Sequence, residues 1–289
     1  MRWVPGDGWV LLAPAKGVAH GGVWRTPDGT VVKRLVPGDE RPGRYGYWRR
    51  QAEVASSGVL EWTKGLRAPR AVKVETDPDG ITLWTEGVVP GPVSVDEAAA
   101  ALGRFGLNRV EPANWFARRI LRDRLDDDAA HGGWAGCATA DVLPADVRRL
   151  CGELWTRRTD VLRELDRLPH QLVHGDIHPP NLLRRDGDDL IAVDFDQFGI
   201  GPLGFDLGYL LQSTRAPIAE LVAAYQAGSS EAWSAADVRR GAVLTAAITL
   251  VARAAWALTQ PDPGEHLERL VAQTPIVDEA VRHASYKAE

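Results

Sequence analysis

The spacing of apolar residues changes character near residue 88, and that change limits the folds open to this 289-residue chain. Before it, short alternating or wholly apolar runs are separated by turn signatures; after it, apolar residues recur at helical spacing. Residues 9–12, 23–26, 30–35, 71–75 and 81–85 read as strands. Pro27-Asp28-Gly29 and Asp77-Pro78-Asp79-Gly80 divide them, and the glycines of those turns can take the positive φ that tight hairpins need. One helix interrupts the strands over 45–57, where Tyr47, Trp48, Gln51 and Val54 share a face. From Ser94 the reading is helical. Ser94 with Glu97 makes a capping box, and helices are expected over 98–105, 114–125, 144–168, 204–212, 217–227 and 235–259. A β-rich unit, residues 1–88, followed by a mainly helical unit, residues 89–289, is an α+β order of elements.

Composition removes several function classes. The formal net charge is -5 and no sustained basic run occurs, so the electrostatic term that drives nucleic-acid binding is missing. The most apolar stretch, 241–259, contains Arg253 and is rich in Ala and Thr, which suits a buried core helix rather than a membrane span. Pro5, Gly6, Asp7 and Gly8 break the first residues where an export signal needs an apolar centre. Cys137 and Cys151 form no C-x-x-C pair and read as free thiols in a reducing compartment. A cytoplasmic protein is expected.

Set into the helical part is one non-helical island, LVHGDIHPPNLLRRDGDDLIAVDFD at 172–196. Its loop, His174 to Asn181, has the form H-x-D-x-x-x-x-N. Residues 182–183 and 190–193 then read as a hairpin turned at 186–189, which returns Asp194 beside Asp176 and Asn181. A carboxylate, an amide five residues on and a second carboxylate on the returning strand suit phosphoryl transfer. An acceptor hydroxyl needs an orienting base, and phosphates need a divalent cation held by oxygen. Asp176 is the candidate base, Asn181 and Asp194 the candidate Mg2+ ligands, and His174 a support of the loop. A rival reading takes His174, Asp176 and His178 as ligands of a metal-dependent hydrolase, because alternate strand positions share a face.

HGDIHPPN with VDFD resembles the aminoglycoside phosphotransferase and choline kinase branch of the protein-kinase-like fold, whose common form is close to HGDLHPGN followed by an I/V-D-F/W-D/E strand. Gly175 and Asp196 stand where protein kinases have the Arg of H-R-D and the Gly of D-F-G, which favours a small-molecule kinase. The segment from Pro202 to Leu207, with Asp206-Leu207, also resembles the family. Pro180 departs from it, where Gly is usual.

The resemblance implies a bilobal fold with ATP, or GTP, and Mg2+ in the cleft and a small hydroxylated molecule as acceptor. Lys33 would meet the nucleotide phosphates and pair with Glu53; Lys16 and Lys73 are weaker alternatives. Gly21 and Gly22 belong to the implied phosphate-covering segment, and Glu86 and Val88 to the linker that meets the adenine. Asp196 is read as either a second metal contact or a solvated carboxylate, and Asp206 as structural. The acceptor pocket would be built from 98–128 and 204–270, with Trp115 and Trp134 able to line it. In the 235–259 helix Asp237 is the sole acid against Arg239, Arg240 and Arg253, so a polycationic acceptor is not expected, although Asp123, Asp126, Asp127 and Asp128 could form an acidic lip. A sugar, an amino sugar, or a nucleoside or glycosylated antibiotic is the expected acceptor, with antibiotic inactivation or self-resistance as its role. The non-enzymatic alternative is a degenerate kinase fold that binds without turnover.

Overall fold

The computed structural model describes residues 3–14 and 20–284. Its first part is a five-stranded antiparallel sheet in the order β1-β2-β3-β6-β5. These are β1 (Val10–Ala13), β2 (His20–Arg25), β3 (Val31–Leu35), β5 (Ala71–Asp77) and β6 (Gly80–Thr85), with helix α1 (Arg50–Ser57) and the short β4 (Leu66–Arg67) between β3 and β5. The central strand β3 puts Lys33 opposite Val23 and Leu83. Because successive side chains alternate across a strand, Arg34 faces the other way, where its guanidinium grips both oxygens of Asp77 at 2.8 and 2.6 Å and Thr82 at 2.8 Å. Ala52 of α1 and Trp48 just before the helix pack with Leu35 and Ile81, a small core of its own.

The second part is mainly helical: α2 (Val95–Gly106), α3 (Ile120–Ala130), α4 (Ala135–Thr139), α5 (Ala145–Thr156), α6 (Arg158–Asp166), α7 (Phe205–Leu211), α8 (Ile218–Gly228), α9 (Ala235–Ala257), α10 (Gly264–Ala272) and α11 (Thr274–His283). Four strands lie among them: β7 (His170–Val173), β8 (Leu182–Asp186), β9 (Asp189–Ala192) and β10 (Gly199–Pro202). Strand β9 pairs with β8 as a hairpin and with β4 in parallel, while β7 pairs with β10. The fold is α+β and bilobal, of the protein-kinase-like kind.

Local signals explain several boundaries. Ser94 Oγ accepts from the Glu97 amide at 3.2 Å and Glu97 returns its carboxylate to the Ser94 amide at 2.8 Å, so the capping box starts α2 where the sequence sets it. Helix α9 is buried on nearly every side, with Val243 to Val251 all in the core; among the described residues no helix is long and apolar enough to cross a membrane.

Three helix readings need correction. The helix expected over 45–57 begins only at Arg50, because Tyr47 is held in a bridge to Asp39, so Tyr47 and Trp48 precede it. Residues 114–119 are not helical, because Ala117 spends its amide on Phe198 O and its carbonyl on the Ile200 amide, 3.1 and 2.8 Å, bridging to β10. The stretch 144–168 is two helices broken at Arg157, a break that neither Gly nor Pro marks.

Candidate active site

The loop from β7 to β8 is held by its backbone. Asp206, at the start of α7 and 2% exposed, accepts from the amides of His174 and Gly175 at 2.8 and 2.9 Å. Burial pushes its carboxyl up, against the downward pull of His174 and of the two amides. His174 is fully buried against Phe195. Its Nε2 bonds Val193 O at 2.8 Å and its Nδ1 accepts from the Asp176 amide at 3.3 Å, so the ring carries its proton on Nε2. Both nitrogens are therefore committed to backbone and His174 cannot ligate a metal, which removes the hydrolase reading; among the described residues no three His, Cys, Asp or Glu side chains gather as a metal site.

Gly175 has φ +92, and a Cβ there would lie 2.4 Å from Gln197 O. Only glycine lets the loop pass this close to the turn that follows β9. Pro180 falls within the short 3-10 turn Pro179–Asn181, in the first positions, where a missing amide costs no intrahelical bond.

The returning hairpin brings the acidic groups together. Val193 donates its amide to Asn181 O at 2.9 Å, and Asn181 Nδ2 donates to Asp176 O at 3.0 Å, so Asp194 follows directly beside Asn181. Asp194 takes the left-handed backbone region, φ 65 and ψ 48, uncommon for a residue with a side chain. Its carboxylate pairs with Lys33 Nζ across the cleft. Lys73 pairs instead with Glu75 on the sheet edge, and Lys16 lies outside the described residues. Glu53, half-buried on α1, forms no ion pair among the described residues, so the Lys33 contact is with Asp194 and not with the helix glutamate.

The other sheet-side candidates are placed differently from a covering loop. Gly21 and Gly22 lie within β2 at a bulge, where a Cβ would meet the Arg34 side chain or the Trp24 ring at 2.6 Å. The rest of that segment, 15–19, is outside the described residues. Glu86 gives its amide to Arg70 O at 3.0 Å and its carboxylate faces the same arginine; Val88 makes no backbone hydrogen bond among the described residues.

Three arginines stand around the loop. Arg50 of α1, fully buried, donates to the carbonyls of Arg44, Tyr45, Trp115 and Asp196. Burial pulls its guanidinium down to about 10, still protonated at neutral pH. Arg253 of α9 reaches Asp176 Oδ1 with Nη2 at 3.0 Å and lies 5.4 Å over the Tyr209 ring. Arg124 of α3 donates to Gln197 Oε1 at 3.1 Å, while its buried Nε has no hydrogen-bond partner among the described residues. Most of the acidic lip is spent internally: Asp127 holds Arg44 and the Tyr45 hydroxyl, Asp128 takes the Trp134 indole at 2.8 Å, and buried Asp123 faces Arg119, while Asp126 stays exposed 3.7 Å from the same arginine. Trp134, 1% exposed, packs on Trp155 and is core rather than a cleft wall; Trp115 is half-buried against Phe116 and Phe198.

The sequence profile of the phosphotransferase enzyme family (APH) matches residues 25–239, well over half of the chain. The chain belongs to that family. Solved structures share this phosphotransferase's fold at low identity. A choline/ethanolamine kinase family protein from Mesorhizobium loti is 19% identical, with 97% of this chain and 92% of that one covered at a TM-score of 0.63. The GDP complex of aminoglycoside 2'-phosphotransferase-IIIa is 14% identical over 94% and 92% at 0.60. Spectinomycin phosphotransferase in complex with ADP and spectinomycin is 10% identical over 95% and 93% at 0.57. No curated protein sequence matches the chain.

Sequence reasoning did not assign Arg253, Arg124 or Arg50 to this phosphotransferase's site. For Arg253 a signal existed. It is the only charged residue between Arg240 and Asp262, and a lone charge on so apolar a helix needs a partner. Arg124 and Arg50 sit among other charges and carry no such mark.

Proposed function

We propose that this phosphotransferase moves the γ-phosphoryl group of ATP, or of GTP, to a hydroxyl of a small molecule. The observation that carries the reading is the convergence of Asp176, Asn181 and Asp194 on one loop and hairpin, with Lys33 directed at them from the sheet. The nucleotide lies between the lobes, which divide near residue 88, with the linker at Glu86 and Val88 beside the adenine. Asp176 takes the acceptor hydroxyl's proton, the freed oxygen bonds to the γ-phosphorus, and the bond from that phosphorus to the β-phosphate oxygen breaks, releasing the nucleoside diphosphate.

Magnesium suits the donors. Asn181 uses its amide nitrogen on Asp176 O, which leaves Oδ1 directed elsewhere, and Asp194 adds a carboxylate; both are hard oxygen ligands. Bound by them, the ion would neutralise phosphate charge. Lys33 orients the nucleotide, and Asp206 and His174 keep the loop in shape. The intact set of Lys33, Asp176, Asn181 and Asp194 favours turnover over a binding-only protein.

The acceptor is a hydroxylated compound other than a polycation: sugar-like, aminoglycoside-like with few amino groups, or a nucleoside antibiotic. The internal use of Asp123, Asp127 and Asp128 supports this, because ammonium groups need free carboxylates to meet. Antibiotic inactivation or self-resistance in the cytoplasm is the proposed role, supported by the likeness to antibiotic phosphotransferases. The test is incubation with MgATP and MgGTP against such acceptors, read as a mass gain of about 80 Da. Asp176→Ala should lower kcat by about 10² to 10⁴ and leave nucleotide affinity in place. Wild-type turnover by that variant would overturn the assignment.

A further inference from the structure

Asp176 is not alone where the acceptor hydroxyl must sit. Arg253 touches its Oδ1 at 3.0 Å with one of three guanidinium nitrogens; Nη1 and Nε make no hydrogen bond among the described residues, and the side chain is about a fifth exposed. Tyr209 closes the floor, its ring 5.4 Å from Arg253 and its buried hydroxyl without a partner among the described residues. One turn along α9, Trp256 is 57% exposed, with its ring edge-on to His266 at 5.8 Å. On the α3 side Arg124 adds a second guanidinium with an unpartnered Nε.

An exposed tryptophan beside an arginine with donors unused by the protein offers a flat apolar face and a cationic fork side by side. A ligand would satisfy both. We propose that the acceptor carries an anionic group, a carboxylate or a phosphate, close to the reacting hydroxyl: Arg253 holds that group, Trp256 covers the flat face of the acceptor's ring, and Asp176 receives the hydroxyl. Guanidinium forks match carboxylate and phosphate geometry, and sugar or base rings stack on indole. His266, whose ionisation burial and Arg253 both oppose, adds a neutral donor beside the indole. Arg253 is in this account a specificity-determining residue. An ammonium group in the place of that anion would face the Arg253 guanidinium as a like charge, so this site selects against amino sugars that carry one there.

This inference rests on phosphotransfer at Asp176, and its test keeps the two apart. Glucose, glucosamine, glucuronate and glucose 6-phosphate present one ring with neutral, cationic, carboxylate and phosphate substituents. With MgATP, at least one of the two anionic probes should exceed glucose by tenfold or more in kcat/KM, chiefly through KM, and the one preferred separates carboxylate from phosphate recognition. Arg253→Met should erase the preference by raising KM for the anionic probe tenfold or more, with KM for ATP unchanged; Arg253→Lys should restore part of it. Trp256→Ala should raise KM for every probe. If no probe turns over, calorimetric titration of the ADP-bound protein decides: binding of glucuronate or glucose 6-phosphate that Arg253→Met removes supports the proposal, and no binding overturns it. A preference for glucose or glucosamine, or an anion preference that survives Arg253→Met, overturns it and leaves the kinase reading intact. Failure of the protein to bind MgATP would sink that reading and this one together.

Discussion

Replacing Asp206 by alanine removes the carboxylate that accepts two amides, His174 at 2.8 Å and Gly175 at 2.9 Å, at a position only 2% exposed. A hydrogen bond contributes about 0.5–1.5 kcal/mol, or about 1.5–3 kcal/mol when its acceptor is charged, and a buried donor left unpaired costs about 1–3 kcal/mol. Allowing for water entering the space, the loss should be about 3–5 kcal/mol, a large share of the ~5–15 kcal/mol that holds a typical domain. The pH dependence has a definite sign. Burial raises the Asp206 carboxyl in the native state, so the folded protein keeps this proton to higher pH than the unfolded chain. The group's contribution then grows as pH falls and diminishes as pH rises through the native value. The deficit of Asp206→Ala should therefore be no smaller at pH 5 than at pH 7. Urea unfolding followed by tryptophan fluorescence and by far-ultraviolet circular dichroism measures it, and agreement of the two probes checks that one transition is being read. A deficit under about 1 kcal/mol with an unchanged urea slope, or one that vanishes by pH 5, would refute the clamp.

Lys33→Ala should raise the nucleotide KM and lower kcat, each about tenfold or more, since it removes a phosphate-directed charge; steady-state kinetics check this, and an unchanged KM with a defect in Lys16→Ala would move the role to the loop. Chelation by EDTA should abolish turnover and added Mg2+ restore it, with circular dichroism unchanged; Asp194→Ala should stay nearly inactive at any Mg2+ concentration, and normal turnover there with loss in Asp196→Ala would show that the wrong ligand was chosen. The two thiols, both free and buried, should resist a thiol reagent in the native protein and react in urea: the hydrogen bond with Cys137, and then burial, push the Cys151 thiol up, keeping thiolate scarce.

How much of this was legible in sequence follows from how local each signal is. The hairpin turn at Gly187, the Ser94 cap and the alternation around Lys33 depend on neighbours a few residues away, and the elements they predict are present. The stretch 114–119 carries helical spacing, yet its backbone is claimed by β10, some eighty residues later, and no local pattern announces that. Asp176, Asn181 and Asp194 were readable because their chemistry is compressed into one island. Arg124 and Arg253 arrive from α3 and α9: Arg253 stands out in sequence as a lone charge on an apolar helix, but its partner Asp176, like the Gln197 partner of Arg124, is fixed only when those helices pack. The Lys33–Asp194 pair was hidden for the same reason: the two residues stand 161 apart in sequence.

Arg50 belongs by sequence to the β-rich half, but its four acceptors tie α1 to the carbonyls of Arg44, Tyr45, Trp115 and Asp196. Two of the four, Trp115 and Asp196, lie in the helical half, so one side chain pins α1 to both halves. Its seat on the sheet is apolar, Ala52 with the preceding Trp48 on Leu35 and Ile81, and among the described residues no side-chain hydrogen bond joins the two. A rotation of the sheet over α1 would therefore change the reach of Lys33 while Asp176, Asn181 and Asp194, which share one loop and hairpin, keep their mutual spacing.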